Sequence, residues 1–134
     1  MKGLDTNVIL RFLVRDDEEQ WQIADRYINE AMLANEVCFV NNIVLCEVAW
    51  VLRTSYKLSR EKLIETLEKM LKANLFVFEN REAIEWAIGQ MKSGSADFSD
   101  YLIARLNQLA GCQETASFDA KLGQLEGIKQ LGSE

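Results

Sequence analysis

Four carboxylates stand out by where they fall: Asp5, Glu47, Asp100 and Asp119. Asp5 directly follows a short apolar stretch that reads as a strand, which puts it at the carboxyl edge of a sheet. A turn or helix-capping duty also suits an Asp there. Glu47 is the lone polar residue among nine apolar ones in IVLCEVAWVL, residues 43–52. A helix apolar all round is expected to be buried, and burying an unpaired carboxylate is costly. Either a distant Arg or Lys neutralises Glu47, or a cation does. Asp97 and Asp100 are three residues apart at a helix start and share one face, where both also favour the helix dipole. Asp119, in SFDAKL, follows a strand and opens a short helix, where an N-cap is again the plain alternative.

Asp5, Asp100 and Asp119 all stand just past strand ends or at helix starts, where an α/β fold brings sequence-distant residues together. Carboxylates converging with no Lys or Arg between them repel strongly. A hard divalent cation with oxygen ligands, Mg²⁺ or Mn²⁺, relieves that repulsion. Such a cation activates water and stabilises in-line displacement at a phosphodiester. Asp5, Asp100 and Asp119 are placed to share such a cation, and coordination of a cation is also one way to keep a charge at Glu47.

The rest of the composition narrows the choice. The chain has no histidine, so Ser-His-Asp and Cys-His arrangements and His-ligated metals are excluded. Cys38, Cys46 and Cys112 are odd in number and widely spaced among apolar neighbours, and they read as small buried residues rather than a disulfide framework or a zinc site. The 134 residues suit one domain, 1–134, and a 49% hydrophobic content is enough for a core. No apolar run approaches the roughly 20 residues that span a bilayer, and MKGLDTNVIL does not read as a signal peptide. The expected location is the cytoplasm, away from membranes. A net charge of −6 runs against nucleic-acid binding. Screening beyond about 8 Å still lets a local basic patch exist on an acidic whole.

Apolar periods alternate between strand and helix, the pattern of βαβ units. Strands are expected near 2–5, 37–40, 75–78, 113–116 and 128–131. Between them, helices are expected from Thr6 as N-cap, over 16–34, over 43–56 capped by Asn41 or Asn42, and from Ser59. Further helices follow around Ile84–Met91 until Gly94, from Asp97 to Gly111, and briefly at 119–122. The fold class is α/β: a short parallel sheet of four to five strands flanked by helices on both faces, with ligands beyond the carboxyl ends of the strands.

DTNVILRFL at the start, IVLCEVAWVL, DFSDYLIA and the late SFDAKL together resemble the PIN-domain ribonucleases, and most of all the VapC-type toxins of toxin–antitoxin pairs. The resemblance covers nearly the whole chain. It implies a PIN-like three-layer α/β/α fold and Mg²⁺- or Mn²⁺-dependent endonucleolytic cleavage of RNA. It further implies a homodimer and a cognate antitoxin that silences the protein. The resemblance makes Asp5 the first acidic ligand and Glu47 the second, Asp100 the acid that precedes the LIA stretch, and Asp119 the acid of the late strand–helix turn. It implies that all four are catalytic. Asn7 matches a polar residue supporting the site, Ser117 the Thr or Ser that hydrogen-bonds near the metal, and Asp97 an auxiliary acid. Lys121 departs from the pattern: many members carry a further Asp there. The change argues against a second tightly held metal and offers a cation for a phosphate.

Arg11 and Arg15, one and two helical turns beyond Asn7, and Lys92 before Gly94 are candidates to hold an RNA backbone, although solvated surface charge is an equal alternative. The antitoxin is expected to lay an amphipathic segment beside the acids and to reach them with an Arg or Lys. Trp21, Trp50 and Leu52 are candidates to line its groove. Three rivals remain in view. A phosphoacceptor receiver domain would need its Asp near residue 55, where the chain reads Arg-Thr-Ser-Tyr-Lys over 53–57. A non-catalytic interaction module would lack at least one acid, and all four are present. A housekeeping RNA-processing nuclease of the same family is distinguished by the absence of an antitoxin gene beside it.

Overall fold

Strands of only two or three residues cannot stand alone, so each depends on its ladder partner and on the helix laid against it. The computed structural model describes residues 1–132 and divides into two units, one from Met1 to Arg81 and one from Glu82 onward.

In the first unit, β1 (Lys2–Gly3), β2 (Cys38–Val40) and β3 (Phe76–Phe78) form a parallel sheet in the order β1-β2-β3. Lys2 pairs with Cys38, and Cys38 with Phe76. Parallel strands need crossovers, and helices supply them: α1 (Thr6–Leu13) and α2 (Glu18–Leu33), then α3 (Asn42–Thr54) and α4 (Arg60–Lys72). Local sequence sets each helix start. Asp17 accepts from the Gln20 amide at 3.0 Å ahead of two glutamates, Asn41 from Val44 at 2.8 Å, and Ser59 from Lys62 at 3.1 Å. Helix α2 stops where Asn35 turns left-handed at φ 59°, which Asn tolerates better than most residues. Ile9, Ile28, Val48, Leu52, Leu63 and Leu67 are fully buried in this unit, and Phe12 meets Phe76 edge-on at 6.0 Å.

Beyond the carboxyl ends of these strands stand Asp5, then Asn41 and Asn42, then Glu79. Glu79 accepts from the Asn42 amide at 2.9 Å, and the Asn42 carboxamide donates to Asn80 at 2.9 Å. The polar edge expected for a parallel sheet is therefore present.

The second unit holds α5 (Arg81–Ser93, opening on the last residue of the first unit), α6 (Phe98–Leu109), β4 (Thr115–Ser117), a single 3₁₀ turn (Ala120–Leu122) and β5 (Ile128–Gln130). Strands β4 and β5 pair in parallel, Thr115 with Ile128. All five strands are thus parallel within their ladders, in one ladder of three and one of two. Asn107 on α6 donates to the Thr115 hydroxyl at 3.0 Å. Helix α6 ends as its sequence predicts, with Gly111 at φ 101°. Arg105 chelates Glu82, with Nε at 3.1 Å, and lies 5.5 Å over Trp86, joining α6 to α5. Gly94 is required where α5 ends, because a Cβ there would strike the hydroxyl of the buried Tyr101. That hydroxyl accepts from the Ala96 amide at 3.2 Å and fixes the turn between the two helices.

No disulfide joins the three cysteines, and none of the helices is long and apolar enough to cross a membrane, among the described residues. Cys38 is buried as expected and Cys46 half-buried, but Cys112 is exposed, because it lies in the turn beyond the end of α6 rather than on a core face.

Candidate active site

Asp5, rather than Thr6, caps α1. Its backbone is extended, at φ −84° and ψ 160°, and its Oδ1 accepts from the Thr6 amide at 2.8 Å. Thr6 is then the first helical residue, and its hydroxyl donates to Glu47 Oε1 at 3.0 Å. One threonine thereby ties the acid after β1 to the acid on α3, across 41 residues of sequence. Thr6 was readable only as a cap, because its partner is remote.

Glu47 is not buried. Helix α3 packs Val44, Leu45, Val48, Ala49 and Leu52 inward. Its opposite face presents Ile43 at 73% exposure, Glu47, and Trp50 at 65%, one turn apart in succession. The expectation that apolar neighbours would desolvate Glu47 fails for that reason: apolar residues on both sides of a helix do not imply cover on both sides. Leu52, 1% exposed, belongs to the core and cannot line a groove, whereas Trp50 is open to solvent.

A groove does lie beside Asp5, with a volume of about 520 Å³. Asp5 lines it from the cap of α1, Asn7 and Val8 from α1 itself, and Ile23 and Tyr27 from α2. Ile23 and Tyr27, 58% and 44% exposed, are four residues apart, off the buried Ala24–Ile28–Ala31 stripe. That offset was the available sign of a second apolar face on α2. Arg11 also lines the groove, held at Nε by Gln20 at 2.6 Å and at Nη1 by Tyr56 at 3.0 Å and Asp16 at 3.4 Å. Arg15 chelates Glu18 at 2.6 and 2.8 Å and stacks 3.6 Å over Trp21. A phosphate at either arginine would compete with a carboxylate already in place.

In the second unit, Asp97 caps α6 and its amide donates to Asp100 Oδ2 at 3.4 Å, one arm of a capping box. Asp119 caps the 3₁₀ turn through the Lys121 amide at 2.9 Å, and its own amide donates to Ser117 Oγ at 3.0 Å. Ser117 thus orients the chain at Asp119. Asp100 is half-buried, and burial pushes its carboxyl above the usual aspartate range. The Asp97 amide works against that rise, while the charges of Asp119 and Asp97 and a hydrogen bond with Asp119 add to it. Lys92 and Lys121 are exposed, at the end of α5 and in the 3₁₀ turn.

Two acid pairs result, Asp5 with Glu47 through Thr6 and Asp100 with Asp119. Within neither unit do three acidic, Cys or His side chains gather closely enough to hold an ion, among the described residues. The Asp100–Asp119 pair nonetheless has the donor set of a hard-cation site: oxygen atoms only, one carboxyl partly desolvated, and mutual repulsion that a cation would relieve.

The sequence matches the PIN domain family over residues 3–128, a span that runs through both units. It is 31% identical over 131 residues to the VapC ribonuclease of Aquifex aeolicus (strain VF5), covering 98% of this chain and 96% of that protein.

Proposed function

Since the chain belongs to the PIN-domain family, we propose that it is a Mg²⁺- or Mn²⁺-dependent endoribonuclease and the toxin of a toxin–antitoxin pair, acting in the cytoplasm. The observation that carries this reading is the Asp100–Asp119 pair, in which burial first, and then the charges of Asp119 and Asp97, hold the Asp100 carboxyl above the usual aspartate range. Asp5, Asp100 and Asp119 are the proposed metal ligands and Glu47 the further catalytic acid. Asn7, Ser117 and Asp97 are supporting residues. A bound cation would lower the pKa of water and shield the phosphodiester. The protein's own part is to hold Asp5, Asp100 and Asp119 at helix starts, where their caps fix them, and Glu47 on α3 through the Thr6 hydroxyl. Arg11, Arg15, Lys92 and Lys121 are the cations proposed to meet RNA phosphates.

The test is purified protein on total RNA, with 5′-monophosphate ends sequenced. Mg²⁺ or Mn²⁺ is expected to generate discrete new ends, and a chelator to prevent them. Cleavage that persists in the chelator sinks the metal mechanism.

The groove beside Asp5 supports the antitoxin partner, since exposed Ile23 and Tyr27 offer an apolar track that ends at a carboxylate. Expression of this chain alone is expected to slow growth, and co-expression of the neighbouring small gene to restore it. Replacing Ile23 with Glu should leave cleavage intact and block the rescue. Harmless expression of active protein would favour a housekeeping nuclease. Self-association as a homodimer is the remaining proposal, checked by sedimentation.

A further inference from the structure

A polar cavity of about 480 Å³ opens in the second unit. Tyr101, the residue after Asp100, and Lys121, two after Asp119, both line it. Gln90, Gln124, Ser93 and Ser95 supply the rest of its hydrogen-bonding wall. The lining thus offers two carboxamides, hydroxyl groups and one ammonium, with no carboxylate. The volume is that of a small-molecule site. Its wall is also built rather than incidental, because the missing side chain at Gly94 lets the Tyr101 hydroxyl reach the Ala96 amide.

This chemistry selects among anions. A bare phosphate uses the lysine alone and leaves both carboxamides unmatched. A carboxamide matches an adenine edge with two hydrogen bonds, and unpaired bases present such edges to side chains. We infer that the cavity binds one unpaired nucleotide, with its phosphate on Lys121 and its base on the carboxamides of Gln90 and Gln124. The inference deepens the ribonuclease reading, on which it rests: the pocket selects which nucleotide lies next to Asp100 and Asp119.

The test titrates adenosine 5′-monophosphate into the full chain in chelator, following side-chain amide resonances by NMR, with inorganic phosphate in parallel. The nucleotide is expected to shift the Gln90 and Gln124 carboxamides saturably. Gln124→Ala should weaken nucleotide binding about fivefold, the loss of roughly one hydrogen bond, while leaving phosphate binding unchanged. Lys121→Gln should weaken both ligands. No response at either carboxamide, or a full response to phosphate alone, overturns the proposal. Metal is absent, so the outcome does not depend on hydrolysis. Nucleotide binding without RNA cleavage in Mg²⁺ would remove the nuclease reading and keep this site. Cleavage without nucleotide binding would do the reverse.

Discussion

Asn in place of Asp100 should abolish metal-supported RNA cleavage and leave the metal-free protein at least as stable as the parent at neutral pH. Asn keeps the side-chain shape and an oxygen that can accept from the Asp97 amide, now at 3.4 Å, so the start of α6 survives. What disappears is the charge. A metal ligand supplies several kcal/mol of transition-state stabilisation, so its loss should slow cleavage by about a thousandfold or more. The stability half follows from the raised pKa of Asp100, caused first by burial and then by Asp119 and Asp97. Below the ordinary aspartate range Asp100 is protonated in folded and unfolded chains alike, and its favourable contribution is complete. That contribution is lost as pH rises through the raised folded value, because the folded chain then releases a proton it had held more tightly. The metal-free parent should therefore lose stability over that window, and the Asn variant should show a flatter profile. Added Mg²⁺ or Mn²⁺ should raise the melting temperature of the parent by mass action and that of the variant much less. Melting curves against pH in chelator, with cleavage assays beside them, decide the matter. A variant that is badly destabilised, or that still cleaves, removes Asp100 from the proposed role.

Truncating Phe98 to Ala should cost about 3–5 kcal/mol, a large part of the stability of a small domain. Phe98 is fully buried and opens α6, between Asp97 and Asp100. Ala96, Tyr101 and Leu102 are buried around the same turn, so little can collapse into the space left behind. Deleting the ring removes the apolar anchor that seats the capping box, and both acids lose their fixed origin. Denaturant midpoints at unchanged slope measure the cost. A loss below about 1 kcal/mol would mean that the helix start is held by its caps alone.

Much of the fold was legible because helix and strand periods are strong in this chain. Helix α6 between Asp97 and Gly111, and α4 from Ser59, follow their caps and terminators closely. Remote pairing was not legible. No local pattern ties Thr6 to Glu47 or Arg11 to Tyr56, since each link spans more than 40 residues and depends on how α1 meets α3. Periodicity also reports which residues are apolar, not which are covered. On α3 that difference separates buried Leu52 from exposed Trp50, and it puts Glu47 on the open face. On α2 the pair Ile23 and Tyr27 falls outside the core stripe and lines the groove beside Asp5.

The acids of this chain also hold helix ends: Asp5 starts α1, the Asp97–Asp100 box starts α6, and Asp119 starts the 3₁₀ turn. These carboxylates, proposed for the chemistry, are therefore also architectural, and a mutation at any of them tests both roles at once. A change from Asp to Ala loses a cap, costing about 0.5–2 kcal/mol, whereas Asn caps about as well as Asp. Asp and Asn codons differ only at the first base, so one G-to-A transition neutralises an acid and spares the fold. Descendants silenced in that way would keep the groove between α1 and α2 intact. If the proposed nuclease and its partner are as inferred above, such a chain would cut nothing and still occupy the partner, drawing it away from any active copy in the same cell.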